Sequence, residues 1–160
     1  MSRLSEELAY VTLFEPKDKT ASAYVSEAVD LGKFNSFTAY ITFGAITGDT
    51  VLTVYGDATA ALATSLTTAI AFKYRVTAGD YKAAASDQFG DATAVASTGL
   101  TCTAANFDHR TIVIEIDPDT LVSGAHWVTI NLSSAGNPLL VAGIGIGRSR
   151  MPGHLIPTAI

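Results

Sequence analysis

Three histidines, His109, His126 and His154, are the side chains of this chain best suited to moving a proton near neutral pH. His109 follows Asp108 and His126 precedes Trp127, each at the start of an alternating apolar run. A hydrolase would need one of them beside a carboxylate and an activated nucleophile. No G-x-S-x-G elbow marks such a nucleophile, so both read as turn-capping or surface histidines. Asp117-Pro118-Asp119 offers paired carboxylates, but Pro118 fixes a turn and the alternating oxygen ligands of a calcium loop are missing. No H-x-H or H-E-x-x-H spacing points to zinc. Cys102 is the single cysteine, which rules out an intramolecular disulfide and a cysteine-based metal site. Asn131-Leu132-Ser133 matches a glycosylation sequon, inert without secretion. No catalytic residue, metal or cofactor is expected.

Gly143-x-Gly145-x-Gly147 invites comparison with a dinucleotide fingerprint and fails it. The third glycine comes too early and no helical pattern follows. On a strand all three glycines share one face, which lets a bulky aromatic or another backbone approach closely. That partner is either intramolecular, Trp127 for instance, or a neighbouring subunit.

The elements that would position these residues are strands. Phe37 to Phe43 alternates apolar and polar, and Val51 to Tyr55 returns after turn formers Gly44, Gly48 and Asp49, so the two read as a hairpin. Further alternating runs are Ile70 to Val76, Thr111 to Ile116, Trp127 to Leu132 and Leu140 to Gly147. Weaker candidates are Tyr10 to Phe14, Tyr24 to Val29 and Leu100 to Thr103. Ser2 to Ala9 allows a short helix, and Ala58 to Ala69 is ambiguous between helix and loop. Ala83 to Ala105, poor in large apolar residues, reads as an exposed hairpin or long loop. About eight or nine short strands separated by turn chemistry predict an all-β chain, a single β-sandwich or jelly-roll-like domain. Its expected organisation is an N-terminal arm and first strand over 1–28, the sandwich over 29–147, and an extended C-terminal arm over 148–160.

Hydrophobic residues make up 48% of the 160 and charged residues only 16%, against a usual charged share of about 25%. Either Thr, Ser, Ala and Gly cover the surface, or a neighbour covers part of it. Ten Lys and Arg against fifteen Asp and Glu give a net charge of −5, which argues against a phosphate-binding surface. The start, Met-Ser-Arg-Leu-Ser-Glu-Glu, lacks the basic and apolar regions of a signal peptide, and the apolar run Leu139 to Ile146 is too short to span a bilayer. A soluble protein made in the cytoplasm, with neither nucleic acid nor membrane as partner, is expected. Pro152 and Pro157 keep the C-terminal stretch from being helix or central strand, yet it carries Met151, Leu155, Ile156 and Ile160. Such an arm packs on its own domain or on a neighbour.

Val29 to Thr38, Phe43 to Thr47, Arg110 to Ile116, the Trp127 strand and the Gly-rich Ala142 to Gly147 running into an Arg-containing, Pro-ended tail resemble small virion proteins of tailed bacteriophages. The likeness spans Val29 to Ile160. It implies a decoration or cement protein on the outside of the phage head, a homotrimer that staples subunits of the major capsid protein. The acidic balance suits that external place. On this reading the contact residues are Arg148, Arg150, Met151, Leu155 and Ile156. The alternatives are a head–tail connector, tail or baseplate component, and a carbohydrate-binding attachment module using Tyr55, Tyr74, Tyr81 or Trp127.

Overall fold

The structure, a computed structural model, describes residues 8–19, 22–60, 66, 68–81 and 83–150. Its strands are β1 (Leu8–Asp18), β2 (Tyr24–Val25), β3 (Val29–Asp30), β4 (Phe34–Ile46), β5 (Thr50–Asp57), β6 (Ala69–Ile70), β7 (Phe72–Val76), β8 (Thr93–Val95), β9 (Leu100–Cys102), β10 (Thr111–Ile116), β11 (Trp127–Leu132) and β12 (Leu139–Ser149). A single helical turn, Ala104–Phe107, precedes β10. The chain is an all-β sandwich of two antiparallel sheets. The first runs β1-β12-β4-β10-β7-β8 and the second β2-β11-β5-β6, with β3 also on β11 and β9 also on β5.

Alternation decides which side of each strand is inside. In β4, Phe37, Ala39, Ile41 and Phe43 are buried, and Thr38, Tyr40 and Thr42 lie on the opposite face. The inner faces of both sheets meet in one core that includes Phe34, Phe37, Ile41, Ile112 and Ile114 from the first and Leu52, Val54, Val128, Ile130 and Leu132 from the second. Each such side chain contributes roughly 1.5–3 kcal/mol by leaving water.

β12 places its glycines inward. A Cβ on Gly143 would stand 2.8 Å from the Phe14 ring, and one on Gly147 would stand 2.6 Å from Phe34. Gly145 lies beneath the Phe37 ring. The aromatic partner foreseen for the glycine stripe is therefore intramolecular, supplied by three phenylalanines and not by Trp127.

Three expectations are corrected. Phe37–Phe43 and Val51–Tyr55 do not form a hairpin, because β10 and β12 already occupy both edges of β4 and the chain crosses to the other sheet at Thr47–Asp49. Ile70 to Val76 is not one strand: β6 pairs with β5 and β7 with β10, with the break at Ala71. Ala83 to Ala105 holds two strands as a hairpin would, but β8 joins β7 and β9 joins β5, in different sheets. Of the possible N-terminal helix, Ser2 to Glu7 lie outside the described residues, and Leu8 and Ala9 open β1. Residues 61–65 and 67 of the ambiguous Ala58–Ala69 stretch also lie outside them.

Candidate functional site

With the glycines of β12 turned inward, its other residues must face out. They do so as Leu140, Ala142, Ile144, Ile146 and Arg148. Strand register sets their neighbours. Ile144 lies between Thr12 of β1 and Tyr40 of β4, and Tyr40 is followed by Val113 of β10. Ile146 lies between Tyr10 and Thr38, and Ala142 lies beside Thr42, whose hydroxyl is 3.0 Å from that of Thr111. The outer face of the first sheet thus carries no charge over these positions of β1, β12 and β4. Tyr10 is 53% exposed, Leu140 45% and Ile144 46%. Charges return only at the margins, with Glu115 and Arg75 3.8 Å apart on one side and Arg148 at one end. The centre of this face is therefore uncharged, with exposed apolar side chains along β12 and polar residues at its borders.

At the Leu140 end the sheet is irregular on both sides of β12. β4 advances from Phe43 to Ile46 while β12 covers only Val141 to Leu139, and β1 advances from Phe14 to Lys17 while β12 covers Gly143 to Val141. Extra residues of this kind bend and twist the strands that carry them. Here they frame an open depression of about 500 Å³, lined by Lys17, Asp18, Thr42, Tyr81, His109 and Leu140 among others. Gly44 is required in its floor, since a Cβ there would stand 2.9 Å from that of Leu140.

Its aromatic wall is fixed by the main chain. His109 has φ +55°, the left-handed region that few residues other than glycine adopt. Its N–H donates to the Gly44 carbonyl (3.1 Å), and its own carbonyl accepts from the Tyr81 N–H (3.0 Å). The preceding Asp108 accepts the Ile46 N–H through Oδ1 at 2.8 Å. The Tyr81 and His109 rings lie 5.4 Å apart, and Arg110 ties the loop down through Asp80 (3.6 Å) and the Thr77 carbonyl. Opposite, Asp18 Oδ1 accepts the Leu139 N–H at 3.1 Å.

The residues singled out from the sequence separate. Arg148 is exposed at the end of the outer face. Arg150 is engaged within its own chain: its Nε donates to the Phe34 carbonyl (2.7 Å), its guanidinium meets Asp119 at 3.3 Å, and its N–H donates to the Lys33 carbonyl. Met151, Leu155, Ile156 and His154 lie outside the described residues. His126 directly precedes β11, with its ring 6.0 Å from that of Trp127. Asp117 caps a tight turn by accepting the Asp119 N–H. Among the aromatic candidates for sugar binding, Tyr74 packs on Phe107, Tyr55 is half-buried in β5 and Trp127 is half-buried beside Lys33. Of these aromatic candidates, Tyr81 is the exposed one, at 60%, with its ring beside that of His109.

No family model and no curated protein matches the chain. Among solved structures it is similar to the SPBc2 prophage-derived protein YomS, at 14% identity over 88% of this chain and 93% of that one, with a TM-score of 0.43. A structure of infectious bursal disease virus, Gt strain, aligns with 91% of this chain and 41% of its own at 11% identity, TM-score 0.25.

Tyr10, Ile144 and Leu140 were not foreseen as surface groups. The signal was present in the glycine spacing, since an inward Gly-x-Gly-x-Gly stripe forces the residues between to face out.

Proposed function

We propose that this chain is a non-enzymatic virion structural protein, a decoration or cement protein that binds the outside of a tailed-bacteriophage head. Its partners on this reading are the major capsid protein and further copies of itself, arranged as a homotrimer. The observation that carries the proposal is the uncharged centre of the first sheet's outer face, with Tyr10, Leu140 and Ile144 about half exposed. A protein whose task is to stay bound to a protein lattice needs such a face, whereas a solitary domain gains nothing from it. The resemblance of Val29 to Ile160 to phage virion proteins supplies the setting, and Arg148 stands at the end of the face, where a contact residue would. Arg150, by contrast, is occupied in closing its own sheet, so within the proposed contact set its role is to anchor the segment carrying Met151, Leu155 and Ile156.

The test is the native mass of the purified protein by light scattering, for the parent, for a Tyr10→Lys/Ile144→Lys pair, and for a chain ending at Arg150. A trimer that the paired lysines dissociate supports the reading, and weakening by truncation adds residues 151–160 to the interface. A parent that stays monomeric at high concentration and fails to bind phage heads sinks it. A ring of six or more copies points instead to a connector or tail component.

A further inference from the structure

The depression at the Leu140 end shares Leu140 and Ala142 with the apolar strip that leads to it, but its charged rim and its Tyr81–His109 wall differ from that strip in chemistry. We propose that it is a saccharide site, in which a pyranose ring lies against Tyr81 with its hydroxyl groups directed to the polar rim. Four observations lead there. First, Tyr81 is the most exposed large apolar side chain among the described residues, yet its backbone is pinned to His109 and through it to β4. A fixed, open aromatic ring is what the C–H face of a sugar stacks on, and fixing it beforehand lowers the entropy cost of binding. Second, His109 is held at φ +55° to bring its ring 5.4 Å from that of Tyr81. Backbone held in a sparsely populated region concentrates at ligand sites.

Third, the rim is mixed and balanced. Lys17 and Asp18 bring opposite charges to one wall and His109 an imidazole to the other. A phosphate would select a purely basic rim and a metal ion an acidic one. A ring of neutral hydroxyl groups needs donors and acceptors together. Leu140 and Ala142 supply an apolar floor between them. Fourth, the volume of about 500 Å³ falls within the roughly 300–1,000 Å³ of small-molecule sites. An apolar side chain from a protein partner would gain more on the strip around Ile144, away from this charged rim.

The experiment is amide chemical-shift mapping on the ¹⁵N-labelled full chain, with maltotetraose, cellotetraose and chitotetraose as probes. Each is added at about 10 mM, enough to fill even a millimolar site. At least one probe is expected to move the amides of Lys17, Asp18, Thr42, Gly44, Tyr81 and Ala142 together. Tyr81→Ala should weaken that binding at least about tenfold while Tyr81→Phe keeps it, with the remaining spectrum unchanged. The proposal is overturned if none of the three probes moves these amides, or if binding survives Tyr81→Ala. It is equally overturned if the groove signals respond only to rising protein concentration or to added phage heads, since the occupant is then protein. Loss of the trimer in the lysine pair leaves this outcome untouched, so the two proposals fail separately.

Discussion

Cys102, at the end of β9 beside β5 of the second sheet, is completely buried, and burial pushes its thiol up from 9.0 to about 12, against a smaller lowering by the Leu52 backbone. The folded chain therefore keeps the proton where the unfolded chain would release it. Stability from this group is complete below about pH 9 and falls as pH rises towards 12, at most about 1.4 kcal/mol for each pH unit. Urea titrations across that range are expected to show a steeper alkaline loss for the parent than for Cys102→Ala. Parallel curves would show that the thiol ionises equally in both states. Single residues also explain why two neighbouring arginines differ. Arg148 and Arg150 lie on the same side in sequence alternation, yet only Arg150 finds a main-chain carbonyl, that of Phe34, within reach. No pattern in the sequence distinguishes them, because the carbonyl belongs to a residue more than a hundred positions away.

At the scale of elements, β12 is the strand on which the first sheet depends, since it joins β1 to β4. Its inner face has surrendered side chains at Gly143, Gly145 and Gly147 so that Phe14, Phe37 and Phe34 can fill the space. Adding even a methyl group there forces a fully packed ring to move. Gly145→Ala is expected to lower stability by about 1–3 kcal/mol in urea unfolding, despite alanine's better fit to a strand elsewhere. A neutral result would mean that the Phe37 ring has room to shift. Much of this was legible beforehand: β4, β10, β11 and β12 follow directly from alternation, and the glycine stripe pointed to a close approach by an aromatic ring or another backbone, without saying which or from where. Partnership was not legible. β4 and β5 look like a hairpin because they are adjacent, but strand pairing is decided by which edges remain open, and β10 and β12 claim both edges of β4. The groove was hidden for the same reason. Tyr81 and His109 were each visible as residue types, but what unites them is a hydrogen bond from one loop to another and two bulges beside β12.

For the whole molecule, the charge distribution governs how it would meet a partner. The central strands of the outer face carry Thr, Tyr, Ile and Ala, and its ion pairs lie at the margins. Association through such a face is driven by removal of apolar surface from water and not by steering between charges. Its affinity is expected to change by less than about threefold between low and high salt, and its heat capacity change should be negative. Isothermal titration at two ionic strengths checks this, and a steep salt dependence would place the interface on the charged margins instead. The order of strands has a further consequence for how the chain comes into being. Val11 of β1 is paired with Gly145 of β12, so a ribosome releases β1 long before the strand that will hold it. At about 5–20 residues per second, the wait is on the order of ten seconds. During it Val11, Leu13 and Phe14 lack the strand they pair with, so the first layer closes only after β12 has left the ribosome.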